Sequence, residues 1–406
     1  MHVIFLAPHF PANQIAFVRG LKRVGARVTG IIDTPLSHVA SQVKELLDDV
    51  EVVDNVTSVA QVTDAVRRIQ RRGPWVHHLE ATVEAHTLTA AHVREATGIP
   101  GTPAITVERC RDKAVMKAFL EEQGIPVAKN RAVDSPAEAR AFAAEVGFPV
   151  ILKPRAGAGA SGTVKVDDAA HLERVMDELR WGPGQLLMEE FLAGHEMIFD
   201  TLTVQGQVAY EFVCHYEPGV LHAMRTREVS PRIVCTNRHE LPVYAELRAL
   251  GRKVITALGL RTSATHMEVF VTRRGLVFSE IGARPAGVGM WDAYCEALGF
   301  DLYTEWARAV CWGDVHGVVH NRRAAGMVAV RPDRDGTVVG VTGADAIQRV
   351  HGEHIFAAHI PQPGSRTQPV EAGYMANAWA MAVHDDYDAC CGILDDIGRT
   401  LKIYAR

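Results

Sequence analysis

Two runs of alternating residues flank Arg273-Arg274-Gly275, and this pattern constrains the fold more than any other feature of the chain. The stretch reads ATHMEVFVTRRGLVFSEIGARPAG over 264–287. The alternation predicts two strands, and the glycine predicts a three-residue hairpin loop that ends in a left-handed residue. In that register the facing pairs include Phe270 with Phe278, Glu268 with Glu280, and His266 with Gly282.

The predicted hairpin places two carboxylates directly opposite each other. At about 5 Å and an effective dielectric constant of about 20, the two charges repel by ~3 kcal/mol. A raised pKa or a cation between the carboxylates would relieve the repulsion. We favour a divalent cation over a solvated acid pair, because hard carboxylate oxygens suit Mg²⁺ that also holds phosphates. The other face is apolar, and its residues are Met267, Val269, Val271, Val277 and Ile281.

A glycine-rich segment, VILKPRAGAGASGTVKV over 150–166, lies between two predicted strands. Glycines allow backbone N–H groups to approach a phosphate closely and to point together. A P-loop and a dinucleotide fingerprint both require a helix after the glycines, whereas the residues that follow here alternate as a strand does. The segment alone is compatible with a phosphate-binding loop and with a flexible hairpin loop.

The composition excludes several classes of protein. The 406 residues are enough for two or three domains. A net charge of −5 gives no reason to expect nucleic acid or an anionic membrane as a partner. No apolar run is long enough to span a bilayer, and the N-terminus lacks the pattern of a signal peptide. Seven cysteines without C-x-x-C spacing indicate a reduced, cytoplasmic protein.

The first hundred residues alternate strand and helix patterns, which predicts a parallel sheet covered by helices. The first turn, APHFPANQ, contains no glycine, so a dinucleotide pyrophosphate would lack its usual seat. The predicted strands are 3–7, 28–32, 50–54 and 75–79, and the predicted helices are 15–24, 59–72 and 83–97.

The rest of the chain mixes both element types. The segment 217–240 is rich in Pro, Arg and His, which predicts a long functional loop. From about 321 the pattern changes to short strands and glycine turns, which indicates a small C-terminal α+β domain. Helices are predicted at 111–123, 136–146, 168–180, 241–258 and 290–311.

Five motifs occur along the chain in a fixed order. They are Lys113 on a helix, ILKPRAGAGASGT (151–163), MEEFLAGHE (188–196), HMEVFV (266–271) and SEIGARPAG (279–287). Their order and spacing resemble the ATP-grasp superfamily, among the carboxylate–amine ligases related to L-amino-acid ligases and biotin-carboxylase-like enzymes.

The resemblance covers nearly the whole chain and implies a combined α/β and α+β fold. It implies an N-terminal Rossmann-like pre-ATP-grasp domain over 1–104. A central ATP-grasp domain would span 105–320, with a mobile glycine-rich lid subdomain over about 125–192. A small lid-like C-terminal α+β domain would span 321–406.

The resemblance also implies which residues bind ATP. The lysines would contact the phosphates, the glycine loop would fold over them, the backbone of Glu189 and Leu192 would bind the adenine edge, and Glu196 would bind the ribose hydroxyls. The whole predicted set is Lys113, Lys153, Gly159, Ser161, Gly162, Glu189, Phe191, Leu192 and Glu196.

Further residues are implied for metal binding and catalysis. Glu268 and Glu280 would hold Mg²⁺, with Mn²⁺ as a substitute. Arg284 and Lys153 would stabilise the transferring phosphoryl group. Arg284 would also stabilise the tetrahedral intermediate. The substrate residues that we predict are Arg225, Arg227, Arg232, Gly287 and Gly289, because arginine suits bidentate binding of a carboxylate.

The resemblance implies an ATP-dependent carboxylate–amine ligase that acts on amino acids or similar small metabolites through an acyl phosphate. The alternatives are a biotin-carboxylase-like or nucleotide-type carboxylase that uses bicarbonate, and an ATP-binding protein without catalysis. The chain contains no biotinyl-lysine-like segment. The expected partners are a small-molecule carboxylate and an amine. We also expect a homodimer, and we expect neither nucleic acid nor a membrane as a partner.

One position departs from the family pattern. Most relatives have Asn two residues after the second acid, as a further metal ligand, whereas this chain has Gly282. His266, opposite in the predicted register, could cover the space left by the absent side chain. Because imidazole is a poor ligand for Mg²⁺, we expect water to complete the coordination shell.

Overall fold

The computed structural model describes residues 1–157, 159–179, 181–182, 184–317 and 322–406. Ala158 in the glycine-rich segment, Arg180 at the end of a predicted helix, and residues 320 and 321 at the second predicted domain boundary lie outside the described residues. The strands are β1 His2–Leu6, β2 Arg27–Ile32, β3 Asp49–Val52, β4 His78–Glu80, β5 Asn130–Val133, β6 Val150–Pro154, β7 Val164–Val166, β8 Leu186–Glu190, β9 Gly194–Val204, β10 Gln207–Glu217, β11 Arg232–Cys235, β12 Ser263–Thr272, β13 Gly275–Gly282, β14 Ala324–Val330, β15 Val338–Thr342, β16 Ile355–His359, β17 Ala378–His384 and β18 Lys402–Ala405. The α-helices are α1 Gln14–Arg23, α2 Ser41–Lys44, α3 Val59–Arg72, α4 Glu84–Thr97, α5 Ala104–Arg109, α6 Lys113–Glu122, α7 Pro136–Val146, α8 Ala169–Glu178, α9 Val220–Ala223, α10 Ala245–Leu258, α11 Met290–Leu298, α12 Leu302–Trp312, α13 Ala344–His351 and α14 Tyr387–Thr400.

The first part of the chain forms a parallel sheet in the order β3-β2-β1-β4. Its two central strands, β1 and β2, are mostly buried, as expected for a sheet covered by helices. Helix α3 begins where the Ser58 side chain accepts a hydrogen bond from the Gln61 amide, and it buries Val62, Val66 and Ile69. The α/β part of the predicted fold class is therefore confirmed.

A second, four-stranded antiparallel sheet has the order β5-β8-β6-β7. Helices α7 and α8 pack on it, and their apolar residues form a separate core that includes Phe142 and Leu172. Helix α7 begins at Ser135, whose side chain accepts from the Glu138 amide, and Pro136 occupies its first position. The glycine-rich segment joins β6 to β7 in this sheet.

The largest sheet has eight strands in the order β13-β12-β9-β10-β11-β14-β17-β16. Its seven neighbouring strand pairs are antiparallel, which confirms the α+β part of the fold class. Strands β14, β17 and β16 come from beyond residue 321, so the sheet continues across the second predicted domain boundary. The boundaries at 104 and near 320 stay predictions.

The main core joins the first sheet to the largest sheet through α1, α11 and α12. Phe17 of α1 lies among three aromatic rings, with centroids 5.1 Å from Trp291, 4.8 Å from Tyr303 and 5.0 Å from Trp306. This packing fixes the carboxyl ends of the parallel strands relative to the loop that follows β13.

Two predicted elements were wrong in extent. The long loop at 217–240 contains β11, because Ile233, Val234 and Cys235 are buried and pair with both β10 and β14. The helix predicted over 290–311 is two helices, because Gly299 takes a left-handed φ of 76° and the Asp301 side chain caps the start of α12.

The hairpin β12–β13 differs from its prediction in two ways. Thr272 pairs with Gly275, so the loop has two residues, and a register shift after Glu268 leaves Ser279 without a partner across the pair. Glu268 still faces Glu280, and His266 still faces Gly282. The predicted pair of Phe270 with Phe278 is wrong, since Phe278 is fully buried in the apolar core behind the hairpin with Val269.

Gly251 of α10 packs directly on Phe199 of β9, and a Cβ there would overlap with the phenyl ring. We expect Gly251→Ala to lower the free energy of unfolding by about 1–3 kcal/mol through overpacking. Gly392 of α14 is the matched control, because an added Cβ meets no atom of the described residues within 4 Å outside its own helix backbone and its chain neighbours. Gly392→Ala should be neutral or stabilising. Chemical denaturation of both variants tests this, and equal effects would contradict it.

Among the described residues, no helix combines the length and apolar character needed to cross a bilayer. The seven cysteines all lie in the described residues, and the structure has no disulfide among them.

Candidate active site

A cavity of about 570 Å³ lies between the β5–β8–β6–β7 sheet and the largest sheet. This volume is typical of a small-molecule site. One wall comes from β6 and β8, and the other comes from β9, β12 and β13. The predicted site residues that line it are Lys113, Lys153, Gly159, Ser161, Glu189, Phe191, Leu192, Glu196, Arg225, Glu268 and Glu280.

Other predicted site residues lie outside this lining. Gly162 sits behind it, where a left-handed φ of 69° turns the chain and a Cβ would lie 2.9 Å from Pro154 Cγ. Gly287 and Gly289 precede α11, and Val288 between them has a φ of 47°. A β-branched residue with that φ costs about 1–3 kcal/mol, so the surrounding packing holds this turn in place.

Two buried charged side chains, Lys153 and Glu189, line one wall of the cavity, and Lys117 lies fully buried behind them. The Glu189 carboxylate lies 2.9 Å from Lys153 Nζ and 3.1 Å from Lys117 Nζ. Burial acts to raise the pKa of Glu189, but the two ammonium groups outweigh it and lower the pKa. Burial likewise acts to lower the pKa of Lys153, and Glu189 outweighs it, so that this pKa is raised. Glu189 and Lys153 therefore stay charged as an ion pair, whereas burial lowers the pKa of the neighbouring Lys117.

The facing acids lie at the end of the cavity beside Lys113, whose Nζ is 3.2 Å from Glu280 Oε2. Burial acts to raise the pKa of Glu268, but the neighbouring His266 outweighs it and lowers the pKa. The described residues contain no cluster of three or more His, Cys, Asp or Glu suited to holding a metal by themselves. Two carboxylates fit Mg²⁺ that is bound jointly with phosphates, which would supply the remaining oxygens.

Glu196 lies on β9 next to this acid pair. Its Oε2 accepts a hydrogen bond from the Val220 amide at 2.8 Å. Burial, followed by the charge of Glu268, raises the pKa of Glu196 to about 8. A protonated carboxyl group can donate as well as accept a hydrogen bond, and in either protonation state it can accept one from a hydroxyl group.

Behind Glu268, Asp200 orients His266. Its Oδ1 accepts from His266 Nδ1 at 2.9 Å, and its Oδ2 accepts from the Tyr294 hydroxyl at 2.6 Å. Burial acts to lower the pKa of His266, but Asp200 outweighs it and raises that pKa to about 10. His266 Nε2 lies 3.6 Å from Glu268 Oε1.

The atoms nearest to the space beside Gly282 belong to Glu84 and Arg284 rather than to His266. A Cβ at this glycine would lie 3.0 Å from Glu84 Oε2, with Arg284 as the next neighbour. Arg284 Nε in turn donates to Glu84 Oε2 at 2.8 Å.

The three predicted substrate arginines have different surroundings. Arg227 pairs with Asp335 at 2.5 Å, and Arg232 pairs with Asp395 at 2.7 Å. Arg225 is exposed, lines the cavity and donates to the Thr163 carbonyl at 2.9 Å. Of the three, only Arg225 faces the cavity.

Lys113 and Arg225 each hold one backbone carbonyl of the loop between β6 and β7. Lys113 Nζ donates to the Gly157 carbonyl at 2.8 Å, and Arg225 holds Thr163. A phosphate that enters the cavity would compete with these carbonyls for the same donors. Binding of an anion to Lys113 or Arg225 would therefore release the loop carbonyl that this side chain now holds.

The sequence-based reasoning missed Lys117, Glu84 and Asp200. Lys117 lies four residues after Lys113 on α6, so the helical repeat was a usable signal. Glu84 lies in the first turn of α4, the helix that follows the last strand of the first sheet. Asp200 lies within the buried part of β9. Neither has a local pattern that points to the site.

Residues 118–299 match the family described as the ATP-grasp domain. The chain therefore contains an ATP-grasp domain. This ATP-grasp protein is 25% identical over 312 residues to the L-arginine-specific L-amino acid ligase of Bacillus subtilis, which covers 75% of this chain and 74% of the relative. The relatives confirm the prediction of an ATP-grasp ligase that forms carbon–nitrogen bonds.

Solved structures share the fold of this ATP-grasp protein along nearly its whole length. The L-amino acid ligase from Bacillus licheniformis superposes with a TM-score of 0.79 at 18% identity, covering 100% of this chain and 98% of that one. The biotin carboxylase domain of the Hydrogenobacter thermophilus 2-oxoglutarate carboxylase, solved with MgADP, ADP and bicarbonate, gives a TM-score of 0.68 at 17% identity, covering 99% and 90%.

Proposed function

We propose that the protein is an ATP-dependent ligase that joins a carboxylate to an amine through an acyl phosphate, with amino acids or related small metabolites as substrates. The observation that carries the proposal is the pair of facing acids, Glu268 and Glu280, beside Lys113 in a cavity with a lysine-rich wall. The similarity to an L-arginine-specific L-amino acid ligase supports amino acids as the substrate class.

In the proposed reaction, a carboxylate oxygen bonds to the γ-phosphorus of ATP and the bond to ADP breaks. The amine nitrogen then bonds to the acyl carbon, phosphate leaves, and the amine loses a proton. Mg²⁺ held by Glu268 and Glu280 would supply charge neutralisation at the phosphates. Lys113 and Lys153 bind the phosphates, Arg284 stabilises the transferring group, and the glycine-rich loop excludes water from the acyl phosphate.

Phosphate release with pooled amino acids tests the proposal directly. Purified protein, ATP and Mg²⁺ are incubated with pools of amino acids, and active pools are divided until single pairs remain. We expect stoichiometric ADP, phosphate and an amide product detected by mass spectrometry. ATP consumption that requires bicarbonate and yields no amide would favour the carboxylase instead. Nucleotide binding without turnover in any pool would favour the non-catalytic protein.

We expect Arg225→Ala to raise the KM for the carboxylate substrate or for ATP by about tenfold or more, because a charge-assisted hydrogen bond is lost. Arg232→Ala is the matched control, since its partner Asp395 lies on α14, away from the cavity. That control should lower stability and leave KM unchanged. Unchanged KM values for both substrates in Arg225→Ala would exclude Arg225 from recognition.

Three further expectations follow from this assignment. Mn²⁺ should replace Mg²⁺, because both accept oxygen ligands. The enzyme should act in the cytoplasm, where ATP and free thiols are both maintained. Assembly into a homodimer is a further expectation, which sedimentation of the purified protein tests.

A further inference from the structure

Gly282 follows the second acid by two residues and leaves a gap in the side chains of β13. Its backbone does not take a left-handed φ, unlike the positive-φ glycines of the chain. Glycine is therefore not required there by the backbone. What limits the position is Glu84, whose Oε2 would lie 3.0 Å from an added Cβ.

The Glu84 carboxylate enters this gap from the first turn of α4. Its Oε2 accepts from Arg284 Nε at 2.8 Å, and its Oε1 lies 3.4 Å from Arg111 Nη1. Arg111 also donates to the Glu84 backbone carbonyl at 3.0 Å. The carboxylate is thus fixed from two sides, with less than a fifth of its side chain exposed.

These contacts determine which donors of Arg284 remain available. Nε is taken by Glu84, and Nη1 donates to the Pro285 carbonyl at 2.8 Å. Within the part of the chain that the structure describes, Nη2 has no protein acceptor. One carboxylate shared between two guanidinium groups also leaves one net positive charge, so Arg284 keeps charge for a bound anion.

We propose that Glu84 is a positioning residue that holds the Arg284 guanidinium for the transferring phosphoryl group, and that Gly282 leaves the room it needs. The proposal rests on the ligase function proposed above. It assigns the first sheet a part in the reaction, since Glu84 comes from a helix of that sheet.

Glu84→Gln should lower kcat by about 10- to 100-fold, as loss of a partner that orients a functional group does. The KM for ATP should stay unchanged, because Glu84 does not line the nucleotide cavity. The matched control is Glu45→Gln, an exposed glutamate near the first sheet. A kcat within twofold of the unmodified enzyme, or a KM effect alone, would overturn the proposal.

A double-mutant cycle tests the gap itself. Gly282→Ala should lower kcat in the unmodified enzyme, because the added methyl displaces Glu84 from Arg284. In a Glu84→Ala background the same change should cost nothing further, since the oxygen it meets is gone. Independent, additive losses would overturn the proposal.

The unfolding temperatures of the unmodified protein, Gly282→Ala, Glu84→Ala and the double variant distinguish a failure of this proposal from a failure of the proposed ligase function. If the unmodified protein turns over no substrate, the ligase function fails, and the cycle in unfolding temperature still decides whether Gly282 and Glu84 are coupled. Coupling in stability with an unchanged kcat in the active enzyme would make Glu84 structural and would overturn the positioning role.

Discussion

Glu280→Gln is expected to lower ATP consumption by about 100- to 1,000-fold, the scale on which a lost charge at a reacting phosphate affects the rate. Glu280 directly faces Glu268 and lies 3.2 Å from Lys113 Nζ. The substitution keeps the shape of the side chain and removes one hard, charged oxygen donor. It also removes repulsion between the facing acids, so the unfolding temperature should not fall.

The measurement is ATP consumption over a range of Mg²⁺ concentrations. Glu246→Gln, an exposed residue in the first turn of α10, serves as the control and should behave like the unmodified enzyme. If Glu280→Gln retains the normal rate at limiting Mg²⁺, the acid pair does not hold the metal.

Glu189→Gln is expected to lower the free energy of unfolding by about 3–5 kcal/mol, because it leaves two buried ammonium groups without a counter-charge. Lys117 is fully buried, and Lys153 is nearly so. Urea denaturation at neutral pH measures the effect. Glu190→Gln is the control from the same strand, since its ion pair with the exposed Arg274 should change stability by less than about 1 kcal/mol.

The loss in Glu189→Gln should shrink as the pH rises. Burial already lowers the pKa of Lys117, and without Glu189 that pKa falls further. The unfolded chain then binds more protons than the folded chain, so stability increases with pH up to the ordinary lysine pKa. Adding Lys117→Met should recover part of the loss at neutral pH. A loss independent of pH and of Lys117 would contradict the charge explanation.

The facing position of Glu268 and Glu280 was predicted correctly because an error in the loop length and an unpredicted bulge cancelled each other. The sequence predicted a three-residue loop, and the structure has a two-residue loop that shifts the register by one. Ser279 then shifts it back as a bulge. A bulge carries no clear local signal, so the facing pair of Phe270 and Phe278 was wrong while Glu268 and Glu280 were right.

Residues that reach the site from distant parts of the chain were not predictable in this way. Glu84 and Arg284 are separated by 200 positions, and the periodicity of a helix or strand says nothing about contacts at that range. Lys117 differs, because its spacing from Lys113 places both on one face of α6. Local patterns thus located the cavity walls, and tertiary packing supplied the groups behind them.

The strand order of the largest sheet has a consequence for synthesis on the ribosome. Strand β11 needs β14 as its second neighbour, and about ninety residues separate the two strands. At typical translation speeds β11 therefore presents an unpaired, apolar edge for several seconds. We expect nascent chains stalled within that interval to bind chaperones, and release of the chaperone to follow once β14 and β17 have emerged.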